Sequence, residues 1–187
     1  MGSEIINFEA YHGTNKSSSE SIMKSKYYIP SNKDNEWLGS GVYFFIDNKT
    51  EKSIENSIKW AVNFKGFKNY AVIKNNIEVD KDKAMDLNNE DWQDIFEAYK
   101  IEKIKDYKKR GIQCNMNVKQ LDCMTINDIC NEMKLDIVYQ QRYIELGQRD
   151  KGNKLIASNI PNCRIMSVRK PEIIDKNSMY IIEEGEA

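Results

Sequence analysis

Apolar and polar positions along this chain change period several times, and each change marks an element. Ile5-Ile6-Asn7-Phe8-Glu9-Ala10-Tyr11 alternates as an extended strand does and ends at His12. Ser17-Ser18-Ser19-Glu20 has the form of a capping box, opening a short helix that carries Ile22 and Met23. Pro30 closes that stretch by holding Ile29 extended, and Asn32 to Glu36 is polar loop. Val42-Tyr43-Phe44-Phe45-Ile46 reads as a buried strand, with Tyr43 and Phe45 on one face and Phe44 on the other. Glu51 to Phe64 has helical spacing, placing Ile54, Ile58 and Ala61 on one face. Tyr70 to Ile73 predicts a further strand, and Asn89 to Lys109 the longest helix, packed through Trp92, Ile95, Phe96 and Tyr99. Thr125 is the expected cap of a helix that buries Ile126, Ile129, Cys130 and Met133. Strands are then expected over Leu135 to Tyr143, Arg164 to Arg169 and Met179 to Ile182.

Short separated strands among segregated helices, with no regular strand-helix repeat, predict an α+β fold in one domain spanning residues 1–187. Lys plus Arg number 28 against 29 Asp plus Glu, so no global charge draws the chain to nucleic acid or membrane. Any such contact has to be local. The basic tract Lys103, Lys105, Lys108, Lys109 and Arg110 is either a solvated helix face or such a contact. No basic-apolar leader opens the chain, Ile6 stands where an acylation signal needs Ser or Thr, and no run approaches roughly 18 apolar residues. A soluble cytoplasmic protein is expected, with no membrane partner. Cys114, Cys123, Cys130 and Cys163 form no Cys-x-x-Cys pair and read as reduced packing thiols. With one histidine the chain has no multi-histidine metal site, and no metal is expected.

That histidine sits in Tyr11-His12-Gly13-Thr14, which Leu38-Gly39-Ser40-Gly41-Val42-Tyr43-Phe44 follows later in the chain. The two motifs in this order resemble the core of the diphtheria-toxin-like and poly(ADP-ribose) polymerase-like ADP-ribosyltransferases, especially the small bacterial members found in toxin and phage-defence loci. The likeness covers Ile5 to Ala61 and extends to Arg164–Ile174. It implies a split core of two packed antiparallel sheets around a cleft for NAD, the co-substrate. In the resemblance His12 binds the adenosine ribose, Gly13 offers its backbone to the nicotinamide amide, and Tyr43 stacks on the nicotinamide ring. Ser57 and Trp60, three apart on the second helix, match the family's serine and closing aromatic, with Trp60 in place of the usual tyrosine. Thr14 and Ser31 are candidates for the adenosine side.

The alignment departs from the family at one position with chemical consequences. Ile165 falls where polymer-forming members carry a catalytic glutamate, and an isoleucine neither stabilises positive charge on a ribose nor activates a hydroxyl. The resemblance therefore implies transfer of single ADP-ribose units and no polymer. Glu145, after the Leu135–Tyr143 strand, is either a replacement acid or a solvated strand-end residue. Glu183 and Glu184 read as solvated. The expected activity is mono-ADP-ribosylation of an intracellular macromolecule, protein or nucleic acid, by a toxin or phage-defence effector that an antitoxin could restrain. Two alternatives stay open, an NAD glycohydrolase and a silent NAD-binding module.

Overall fold

A long two-stranded ribbon anchors the architecture. Strand β1 (Ile5–Asn15) pairs antiparallel with β3 (Asn69–Asp80) along its whole length, from Ile5↔Asp80 to Asn15↔Tyr70. The structure is a computed structural model and describes residues 4–111, 115–147 and 158–187. The remaining strands are β2 (Val42–Phe45), β4 (Ala84–Asp86), β5 (Ile137–Arg142), β6 (Cys163–Val168) and β7 (Tyr180–Glu186). They form a seven-stranded sheet of order β4-β5-β6-β2-β1-β3-β7, antiparallel except between β4 and β5. The mixed α/β architecture agrees with the expected α+β class. The expectation of two separate antiparallel sheets is corrected, because hydrogen bonding runs through all seven strands. The halves meet only at the register pair Tyr11↔Phe45 between β1 and β2.

Alternation along the strands gives the sheet two apolar faces. Val42 and Phe44 of β2, Met166 and Val168 of β6 and Ile137 of β5 belong to one core cluster, with Ala10, Ile73 and Ile77. Phe45, Ile165, Cys163, Val138 and Met85 belong to the other, with Leu38, Ile126, Ile129 and Cys130. Tyr43 packs against this second cluster with Phe45, on the face opposite Phe44, as the strand pattern requires.

Among the described residues, four α-helices cover these faces: α1 (Lys16–Ser25), α2 (Thr50–Lys59), α3 (Glu90–Lys109) and α4 (Val118–Met133). Two caps differ from expectation. Asn15, at the end of β1, accepts the Ser18 N–H at 2.8 Å and starts α1 before the Ser17–Glu20 box can form. Asn117 and Gln120 form the reciprocal box that opens α4, while Thr125 lies inside that helix and donates its hydroxyl back to the Leu121 carbonyl at 2.8 Å. Strand β4 escaped the sequence reading because three residues carry no periodicity. Trp92, Ile95, Phe96 and Tyr99 of α3 pack against the second cluster, as predicted.

The polar interior is specific as well. Asn75 of β3, fully buried, accepts the Tyr28 hydroxyl at 2.9 Å and donates to the carbonyls of Ala10 and Ile73. Helix α2 crosses β1 so closely that a Cβ on Gly13 would stand 2.1 Å from the Ser57 carbonyl oxygen. The glycine there is a packing requirement imposed by backbone, whatever ligand it faces. Gly13→Ala is therefore expected to cost about 2 kcal/mol or more through overpacking. A denaturant midpoint equal to that of the parent would show that α2 can shift to admit the methyl group.

Candidate functional site

The site opens where the sheet is weakest. After the Tyr11↔Phe45 pair, β1 continues along β3 while β2 follows β6, from Phe45↔Ile165 to Val42↔Val168. A cleft of about 800 Å³ lies beside this parting and is lined by His12, Gly13 and Thr14 of β1 and by Val42 to Phe45 of β2. His12 bridges the gap, with Nδ1 2.8 Å from the carbonyl oxygen of Tyr43. A carbonyl only accepts, so Nδ1 carries the proton and Nε2 of the neutral ring is left as an acceptor. Burial pushes the His12 pKa below its ordinary value, against the raising effect of the Tyr43 carbonyl. The rings of Tyr28 and Phe44 brace the imidazole at centroid distances of 5.1 and 5.6 Å. The result is a fixed neutral imidazole suited to accept a hydroxyl proton and unsuited to carry charge.

Tyr43 is fixed at both ends. Its hydroxyl accepts the Leu38 N–H at 2.8 Å and donates to the Gly39 carbonyl at 2.7 Å, and burial raises its pKa. The phenol is thereby held as a neutral ring that packs and stacks. The loop it clasps is pinned from the other side. Asn127 of α4 accepts the Ser40 N–H at 2.8 Å, and Arg169 donates to both Asn127 and the Ser40 carbonyl. At Gly41 a Cβ would meet the Ser167 hydroxyl at 2.2 Å and the Val168 carbonyl at 2.8 Å, so only glycine lets the loop join β6 here.

The other candidates divide. Thr14, Ser31, Trp60 and Ile165 line the cleft, and Ile165 stands on β6 directly opposite Phe45. Ser57 does not line it. It is fully buried and bonds the carbonyls of Ser53 at 2.8 Å and Tyr11 at 3.3 Å, which makes it a joint between α2 and β1. Ser57 and Trp60 do not meet in the cleft, because Ser57 is buried against β1 while Trp60, where α2 gives way to a π-helical turn (Trp60–Phe64), lines it. The Lys65 N–H bonds the Trp60 carbonyl across that widened turn. Glu145 is also corrected. It is exposed, between buried Ile144 and Leu146, and lies outside the cleft.

Sequence reading missed the opposite wall. Glu36 is the one carboxylate among the described lining residues, and its Oε1 accepts the Ser31 hydroxyl at 2.5 Å. It lies near enough to Tyr43 for its charge to oppose ionisation of that phenol. Trp60 stacks on Phe64 at 4.1 Å and meets Trp37 edge-on at 5.4 Å, while Lys33, Lys65 and Lys119 line the same region. A histidine with a strong motif draws attention, whereas lone lysines from three unrelated segments leave no sequence signal.

Two further expectations concern residues elsewhere. The basic tract on α3 is laced by ion pairs, with Lys103 bound to Asp128, Lys105 to Glu102 at 2.8 Å and Arg110 to Asp106 at 3.0 Å. Much of its charge is thus neutralised, which favours the solvated-face reading. Cys123, Cys130 and Cys163 are free and buried, with thiol pKa values pushed up by burial, to about 11 for Cys130 and about 12 for Cys163. They are packing residues with little thiolate character; Cys114 lies outside the described residues. No helix among the described residues is long and apolar enough to cross a membrane.

No protein-family model matches the chain. It is 26% identical over 200 aligned positions to an uncharacterized protein of Methanocaldococcus jannaschii, an alignment that covers 96% of this chain and 90% of that protein.

The partly desolvated imidazole has a thermodynamic signature. The unfolded chain protonates His12 near its ordinary pKa of about 6.5, while the folded chain resists until lower pH, so the native state loses stability as pH falls through that interval. His12→Gln is expected to remove that part of the acid-side fall in melting temperature between about pH 7 and 5. Parallel melting curves for parent and variant across the interval would contradict the lowered pKa.

Proposed function

We propose that this protein is a mono-ADP-ribosyltransferase that takes ADP-ribose from NAD, releases nicotinamide, and modifies a macromolecule. The observation that carries the reading is the bridge from His12 to the Tyr43 carbonyl, because it sets a neutral acceptor nitrogen and an aromatic ring on facing strands of one cleft. Nε2 of His12 accepts a hydroxyl of the adenosine ribose, Gly13 presents its backbone to the nicotinamide amide, and the Tyr43 ring stacks on the nicotinamide. Holding both ends of the donor leaves the glycosidic bond to stretch toward a ribosyl cation, which is where such an enzyme gains its rate. That bond breaks with its electron pair passing to nicotinamide, which leaves neutral.

The role of the missing glutamate passes to Glu36 in this reading. Ile165 keeps its strand position apolar, and Glu36 is the carboxylate the cleft offers. A lone pair on the acceptor closes the new bond at C1′, and the acceptor's proton goes to the Glu36 carboxylate. An apolar Ile165 leaves no carboxylate there to activate a ribose hydroxyl, which suits single transfer and opposes chain growth. Action on a protein or nucleic acid in the cytoplasm, as a toxin or phage-defence effector restrained by an antitoxin, is the biological setting that the motif resemblance supports.

The decisive experiment incubates the protein with NAD labelled in its adenylate and a cell lysate, then follows nicotinamide release and the fate of the label. Label on a macromolecule is the expected outcome, and protease or nuclease digestion then identifies its class. Free ADP-ribose alone would replace the transferase with a glycohydrolase, and NAD binding without cleavage would leave a silent module. Tyr43→Ala is expected to abolish turnover. Glu36→Gln should lower kcat by about 100-fold while leaving NAD affinity within a factor of about two. Full activity in Glu36→Gln would remove the residue from the mechanism.

A further inference from the structure

The cleft that His12 lines also gathers more positive charge than its one carboxylate, Glu36, offsets. Lys33 comes from the loop before β2, Lys65 follows the π-helical turn and Lys119 lies in the first turn of α4, and all three line the cleft. Arg142, the last residue of β5, lies 5.3 Å from the Trp37 ring centroid, and Lys119 lies 4.8 Å from it. Lys65 lies 5.0 Å from the centroid of Trp60. Among the described residues none of these four cations forms an ion pair with a carboxylate, whereas Lys100, Lys103 and Lys105 on α3 all do. Glu36, in their midst, is bonded to Ser31. The Nε of Arg142 is buried and has no hydrogen-bond partner.

Gathering cations in partly desolvated surroundings works against folding. The pKa values of Lys65 and Lys119 are lowered first by burial; Lys33 adds to the effect on Lys65, and Arg142 and Lys65 to that on Lys119, while the single carboxylate Glu36 opposes both shifts without reversing them. The aromatic rings hold the ammonium groups in place without neutralising them. In a protein whose formal net charge is −1, such a cluster marks a place built for an anion.

We propose that Lys33, Lys65, Lys119 and Arg142 form a phosphate-binding subsite, with Trp37 and Trp60 as its floor, for the diphosphate or phosphodiester of a nucleotide lying in the cleft. The inference deepens the reading of the cleft as a nucleotide site and shares that premise. The phosphate has two possible sources, the diphosphate of the NAD donor and the backbone of a nucleic-acid acceptor. Both present the same chemistry to the lysines.

Tryptophan fluorescence reads the subsite directly, since Trp37 and Trp60 lie in it. The intact protein is titrated with inorganic pyrophosphate, with ADP-ribose and with a single-stranded oligonucleotide, at two salt concentrations. Lys65→Gln/Lys119→Gln is compared with the charge-keeping Lys65→Arg/Lys119→Arg. Saturable pyrophosphate binding that weakens at least tenfold in the glutamine variant, and with rising salt, but persists in the arginine variant is the expected result. Loss confined to ADP-ribose and pyrophosphate assigns the subsite to the donor; loss that includes the oligonucleotide assigns it to the acceptor as well. Absence of pyrophosphate binding to the parent, or equal affinity in both variants, overturns the proposal. Nicotinamide release is measured on the same samples, so phosphate binding without NAD cleavage would sink the transferase reading and leave the subsite standing.

Discussion

The site depends on a sheet that nearly comes apart. Between β1 and β2 the backbone register holds at Tyr11↔Phe45, and past that point each strand keeps its other neighbour instead. Strand backbones that separate inside a domain need other partners for their polar groups. The His12 imidazole supplies one by donating to the Tyr43 carbonyl, and in doing so it turns a break in the sheet into a cleft with a fixed hydrogen-bond acceptor. The ring's tautomer and orientation follow from that one contact and from the Tyr28 and Phe44 rings around it, while its depressed pKa comes from loss of solvent, which outweighs the raising effect of the carbonyl.

The surrounding packing serves the same gap. On one side α2 presses its backbone onto Gly13, with Ser57 joining helix to strand. On the other, the Gly39–Gly41 loop is clasped by the Tyr43 hydroxyl and tied to α4 through Asn127 and Arg169. Both walls are therefore rigid, and their small residues are dictated by backbone approach at β1 and β6. The π-helical turn after α2 is an exception to regular geometry, and it carries Trp60 and Phe64, which stack on one another and meet Trp37 beside the cleft.

Charge is distributed with similar economy. A near-neutral total conceals two different populations of lysine. On α3, Lys100, Lys103 and Lys105 pair with Asp122, Asp128 and Glu102, and ion pairs at a surface such as this contribute little to stability. At the cleft, Lys65 and Lys119 lie against aromatic rings and, among the described residues, form no ion pair with a carboxylate. The basic run on α3 is thus partly neutralised, while lysines from separate segments gather at the cleft around a single carboxylate, Glu36.

The periods of apolar residues determined the main helices, the two faces of β2 and the mixed fold class, because local spacing sets which side chains share a face. The Tyr11–Thr14 and Leu38–Phe44 motifs likewise pointed to His12, Gly13 and Tyr43, and the likeness over Arg164–Ile174 to Ile165, all of which line the cleft. Cap positions shifted where a stronger competitor stood nearby, as Asn15 displaced Ser17 and Asn117 displaced Thr125. Tertiary structure alone decided the rest. Continuity of the sheet across Tyr11↔Phe45, the burial of Ser57, the exposure of Glu145 and the convergence of Glu36, Lys33, Lys65 and Lys119 involve residues far apart in the chain. Such contacts are fixed by how whole elements pack, and neither spacing nor composition encodes them.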